Sequence, residues 1–113
     1  MNFEIENRDS GAILHLEGKI IGDGAIQLRH VLEEQIESDI KWLILDLAEV
    51  PLMDSSAIGT MIMAFLRLKE NGGKLVLLYA QKSIHEVLSI TKLNTLFEVY
   101  DNLQNALQSV KSI

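Results

Sequence analysis

The sequence predicts an α/β domain, a mixed and mostly parallel sheet of about five strands sandwiched with about four helices. Three observations predict it. Short apolar runs alternate with longer amphipathic stretches along the whole chain of 113 residues. The run Trp42-Leu43-Ile44-Leu45-Asp46-Leu47 is apolar on both faces, as a central strand covered on both sides requires. The opening residues alternate on either side of a turn cluster, as an antiparallel hairpin does.

Taken in order, Phe3 to Glu6 alternates, Asn7-Arg8-Asp9-Ser10-Gly11 is rich in turn formers, and Ala12 to Glu17 resumes as a strand. His15, in that alternating strand, is expected to face outward in a structural role. After the turn-rich Gly18 to Gly24, the spacing of Ile26, Leu28, Val31, Leu32 and Ile36 predicts a helix over residues 24–38, with Glu33, Glu34 and Glu37 among its polar positions. Residues 41–47 form the mid-sheet strand. The helix over 55–70 stops at Asn71-Gly72-Gly73, because glycine takes the left-handed conformation after a helix at little cost. Lys74 to Tyr79 is a second buried strand, 83–90 a short helix, 96–100 a short strand, and 102–110 a closing helix with Leu103, Ala106, Leu107 and Val110 on one side. Strands alternating with helices call for right-handed crossovers between parallel strands. No repeat, low-complexity tract or linker interrupts the chain, so one domain is expected over residues 1–113.

Composition narrows the function classes. Ten basic against sixteen acidic residues leave a formal charge of −6, which repels a phosphate backbone, so direct nucleic-acid binding is not expected. The absence of cysteine removes disulfides, thiolate metal sites and a cysteine nucleophile, and suits a reducing cytoplasm. Met1 leads straight into the alternating Phe3-Glu4-Ile5-Glu6, without the charged and apolar regions of a secretion signal, and no apolar run approaches a membrane span. A soluble, unprocessed cytoplasmic protein with no membrane insertion is expected.

The most informative stretch is Val50-Pro51-Leu52-Met53-Asp54-Ser55-Ser56-Ala57-Ile58-Gly59, where a strand hands over to a helix. First-turn N–H groups are unpaired and carry partial positive charge, so a phosphate on a serine there is well received. The simpler reading is an N-cap, which needs one of the three polar residues and leaves the second serine unexplained. At about 100° per residue, Ala57, Ile58, Met61, Ile62, Ala64, Phe65 and Leu68 share the core face. Ser56 points almost directly away, Ser55 lies nearer the sector edge, and Gly59, Met63 and Leu66 join Ser56 in an outward strip. Exposed Met and Leu beside a first-turn serine suit docking by another protein, although scattered surface hydrophobes are also normal.

Enzymatic readings find little support in the residues. There is no Gly-x-Ser-x-Gly elbow to pair Ser55 or Ser56 with His15, His30 or His85. The three histidines lie far apart in sequence without a clustered carboxylate, so no metal site is expected. Gly22-Asp23-Gly24 is too short for a phosphate loop and reads as a turn before a helix. Neither a catalytic residue nor a cofactor is assigned.

With these residues laid out, the chain resembles the STAS family, the domain of anti-sigma factor antagonists and of sulfate transporter tails. The likeness is carried by Leu43 to Leu47, Val50, Met53-Asp54-Ser55-Ser56-Ala57-Ile58-Gly59, Gly72-Gly73, Leu75 to Leu78, Leu88, Thr91-Lys92-Leu93 and Leu96-Phe97. The resemblance implies a sheet flanked by helices mainly on one side, and regulation of transcription by partner switching. In that scheme the unmodified protein binds an anti-sigma factor with serine kinase activity, phosphorylation releases it, and a metal-dependent serine phosphatase restores the binding form. The family's phosphoacceptor matches Ser56. Asp54, Ser55, Gly59, Met63 and Leu66 are the expected partner-binding neighbours. Many antagonists carry an aspartate three residues after the glycine that closes the second strand, where this chain has Ile21 after Gly18; Asp23 is the candidate substitute and joins the expected partner-binding set. The alternative is an accessory subunit that docks on a transporter ATPase through the same helix.

Overall fold

The computed structural model describes residues 1–112. Its elements run β1 (Asn2–Arg8), β2 (Gly11–Glu17), α1 (Asp23–Glu37), β3 (Trp42–Glu49), α2 (Ser55–Glu70), β4 (Lys74–Leu78), α3 (Lys82–Ile90), a 3-10 turn (Leu93–Thr95), β5 (Val99–Tyr100) and α4 (Leu103–Lys111). The five strands form one sheet in the order β1-β2-β3-β4-β5, antiparallel between β1 and β2 and parallel at the other pairings. The expected mixed sheet and four α-helices are present.

The central position of β3 follows from its lack of alternation, since a strand with apolar residues on both faces loses them to water unless both are covered. One face carries Leu43, Leu45 and Leu47 into the main core with Leu14 of β2, Leu32 of α1, Met61 of α2 and Leu88 of α3. The other face carries Trp42 and Ile44 into a smaller cluster with Ile13, Val76 and Leu78, covered by Ala106 and Val110 of α4. Helices therefore lie mainly on one side. α4 does not reach the whole second face, and His15 and Asp46 stay only partly buried there.

α2 has the expected bounds because both ends are set by local chemistry. The Asp54 carboxylate accepts the Ala57 N–H at 2.8 Å, a side-chain N-cap. At the other end Gly72 has φ 76, its N–H donates to the Lys69 carbonyl at 3.0 Å, and the Gly73 N–H donates to the Leu68 carbonyl at 2.7 Å. These are the paired bonds of a Schellman stop.

β3 runs on to Glu49, past the expected 47, and two further elements differ from the sequence expectation. β1 runs through Asn7 and Arg8, which pair with Ala12 and Gly11, so the hairpin turn shrinks to Asp9 and Ser10. The last strand is Val99–Tyr100 rather than 96–100, because Leu93–Thr95 winds into a 3-10 turn and Phe97 is buried in the main core. Phe97 packs edge-on to Phe65 of α2, with ring centroids 5.3 Å apart, and that contact takes it out of any ladder.

Candidate functional site

The site is built where two loops leave the same end of the sheet. Pairing between β2 and β3 continues past the strands. Gly18 N–H donates to Glu49 O at 2.8 Å, Ile20 N–H to Leu52 O at 2.9 Å and Asp54 N–H to Ile20 O at 3.1 Å, and Ile20 forms a parallel bridge with Met53. The β2–α1 and β3–α2 loops are thereby zipped side by side. Ile20, Val50 and Met53 are buried beneath them.

Asp54 locks this arrangement with both oxygens. While Oδ1 caps α2 through the Ala57 N–H, Oδ2 accepts the Gly22 N–H at 2.9 Å. Those two bonds, Ala57 first and Gly22 next, outweigh the opposing effect of desolvation and hold the Asp54 carboxyl below the usual carboxylate range, with the least contribution from the Ser56 N–H. Gly22 presents its N–H with φ 52 and ψ −120, a backbone region that glycine enters readily and other residues resist. Two contacts from α3 brace the β3–α2 side: Gln81 Nε2 donates to Ala48 O and Ser83 Oγ to Pro51 O, each at 2.8 Å.

Since Asp54 supplies the cap, Ser55 and Ser56 are spared that task, and both are exposed in the first turn of α2. Gly59 is exposed one turn on, and a Cβ placed there would meet nothing within 4 Å. Leu66 continues the strip at 46% exposure. Met63 is half-buried, with its sulfur 3.8 Å from Arg67 Nη1. It flanks the strip more than it crowns it. The core face expected from periodicity is also narrower than drawn: Ala57, Met61, Ala64 and Leu68 are buried, Ile58, Ile62 and Phe65 lie at its partly buried margin, and Thr60, absent from the expectation, is buried as well.

Asp23 is exposed at the first position of α1, next to the Gly22 amide that Asp54 holds, so the loop zipper brings it to the same end of the molecule as Ser56. Sequence reasoning missed the apolar rim made by Ile21 on one loop and Leu52 on the other, both 44% exposed. Two hydrophobes left in water within turn-rich segments were the available signal. The histidines are not gathered here: His15 lies on the second sheet face, His30 on α1 and His85 on α3. Among the described residues no group of three or more His, Asp or Glu side chains is placed to hold a metal ion, and no helix is long and apolar enough to cross a membrane.

The STAS domain family model matches residues 2–106. An anti-sigma-B factor antagonist of Listeria monocytogenes is 31% identical over 101 residues, covering 88% of this chain and 88% of its own length. An anti-sigma F factor antagonist of Paenibacillus polymyxa is 23% identical over 114 residues, covering 100% of this chain and 97% of its own. Among solved structures, the anti-sigma factor antagonist SpoIIAA in its unphosphorylated form has a TM-score of 0.85 at 19% identity, over 99% of this chain and 98% of that one. The Bacillus cell fate determinant SpoIIAA in its phosphorylated form has a TM-score of 0.75 at 18% identity, over 96% and 99%. These structural likenesses establish the fold, and the family match spans nearly every element described above. The chain belongs to the STAS domain family.

Proposed function

We propose that this chain is an anti-sigma factor antagonist that works by partner switching in the cytoplasm, and not an enzyme. Unmodified, it binds an anti-sigma factor with serine kinase activity; phosphorylation of Ser56 releases that partner, and a metal-dependent serine phosphatase resets the cycle. The observation that carries the reading is a serine left free in the first turn of a helix capped by another residue, followed along the same outward line by Gly59 and Leu66. Gly59 adds weight, because glycine inside a helix costs roughly 0.5–1 kcal/mol relative to alanine, and the room for a Cβ shows that packing within the chain does not require it. Close approach by another molecule supplies a reason for it.

The electrostatics favour release. A phosphate adds roughly −1.5 to −2 charge two residues from an Asp54 whose carboxyl is held ionised. The helix end offsets this by about 0.3–1 kcal/mol, so the domain tolerates the modification. A partner covering the strip instead faces an unpaired buried charge, which costs several kcal/mol, and each ~1.4 kcal/mol is tenfold in affinity.

Incubation with the purified anti-sigma factor and ATP should add one phosphate per chain, and none to Ser56→Ala. Equal labelling of that variant would falsify the assignment of Ser56. Recovery of a transporter ATPase subunit in place of an anti-sigma factor, in a pull-down with the unmodified chain, favours the accessory-subunit alternative.

A further inference from the structure

On the face of the sheet away from Ser56, His15 stands between two carboxylates on different strands. Its Nδ1 lies 2.7 Å from Asp46 Oδ2 on β3 and its Nε2 lies 3.2 Å from Glu6 Oε1 on β1. A neutral imidazole has one N–H and one lone pair, so it donates to only one of these carboxylates and turns a lone pair toward the other. An imidazolium donates to both. We propose that Glu6, His15 and Asp46 form a proton-operated tether that fastens the outer strand β1 to the central strand β3 across β2, engaged in mild acid and released as the solution becomes alkaline.

The surrounding charges favour the engaged form. β1 presents Glu4, directly opposite His15 in the ladder, together with Glu6 and Arg8, which is bound to Glu6. β2 adds Glu17, and β3 adds Asp46 and Glu49; all but Glu6 and Arg8 line a cleft of about 440 Å³ shared with His15. Partial burial pulls the imidazole pKa down, but the hydrogen bonds and charges of Asp46 and Glu6 together outweigh it and leave it above 6.5. Bonds from Arg8 and then His15 hold the Glu6 carboxyl below 4.5.

These directions fix the signs. His15 contributes stability in full below 6.5 and loses it as pH rises through its raised folded value. Glu6 contributes in full above 4.5 and loses it as pH falls through its lowered one. The tether is therefore whole between about 4.5 and 6.5. When the proton leaves, Glu6 is the partner given up. Its contact is the longer one, its side chain is the more exposed, and Arg8 holds it elsewhere. Asp46 stays, anchored by the Ala48 N–H at 3.0 Å. Among the described residues no strand flanks β1 on its other side, so its ladder with β2 and the packing of Ile5 on the main core are what then hold it. None of this depends on the fate of Ser56.

The test is an NMR titration of the His15 ring in the full chain, with hydrogen exchange of the β1 amides corrected for intrinsic base catalysis. The expected results are a midpoint above 6.5, a lower midpoint in Glu6→Gln, and β1 exchange that quickens severalfold across the titration in the wild type but not in Glu6→Gln. The proposal is overturned by a wild-type midpoint at or below 6.5, by a midpoint indifferent to Glu6→Gln, or by corrected β1 exchange that stays flat through the wild-type titration. The wild-type measurements decide the matter even if the variant folds poorly.

Discussion

Replacing Gly59 by alanine separates the demands of the fold from those of a partner, because the two should respond with opposite sign. Gly59 is the fifth residue of the sixteen in α2, well inside the hydrogen-bonded body of the helix. There alanine is favoured over glycine by about 0.8–1.0 kcal/mol. No steric term opposes the gain, since an added Cβ meets nothing within 4 Å. The domain should become more stable by about 1 kcal/mol, read as a later midpoint in urea at unchanged slope. If a partner's surface packs against this helix at Gly59, the same methyl group intrudes into a close-packed contact. Overpacking costs about 1–3 kcal/mol, which is roughly fivefold to 150-fold in affinity. Titration calorimetry with the anti-sigma factor, beside urea unfolding of the free chain, gives both numbers. Gly59→Ala that gains stability and binds as tightly as the parent would refute the docking strip, and a variant that loses stability would refute the reading of the helix surface.

Two further substitutions probe neighbouring parts of the same site. Leu66→Glu removes a side chain already about half in water. Full burial of leucine stabilises by about 1.5–3 kcal/mol, so the fold should lose no more than about 1.5 kcal/mol, while an unpaired carboxylate trapped under a partner weakens binding by several kcal/mol; equal losses in unfolding and binding measurements would count against the strip. Asp54→Asn should keep α2 capped, because asparagine is an equally good N-cap, yet it cannot offer carboxylate oxygens to both Ala57 and Gly22 at once. The Gly22 amide should then exchange faster, and the loss of stability that the wild type shows as pH falls through the lowered Asp54 value, below 3.8, should disappear. Unchanged Gly22 protection in NMR exchange contradicts the bridging role.

The legible parts of the site were those fixed by chemistry within a few residues. Asp54 and Gly72-Gly73 bound α2 from either end, and a helical period is enough to turn Ser56, Gly59 and Leu66 outward once those ends are known. Met63 shows the limit of that method. Projection on a wheel places it with the outward strip, but it is half-buried, with Arg67 of the next turn lying against its sulfur, and a wheel records direction without recording what neighbouring side chains cover. Asp54 was legible as a cap or a partner contact and not as the clasp between two loops, since Gly22 lies thirty-two residues away.

What the sequence determined by itself is the order and kind of the elements and the central place of β3, because apolar periodicity and capping are encoded locally. The tertiary structure alone decided which loops meet, which face α4 leaves open, and that Glu6, His15 and Asp46 become neighbours. Register between strands sets those distances, and register is settled by the packing of the whole core, to which residues remote along the chain contribute together.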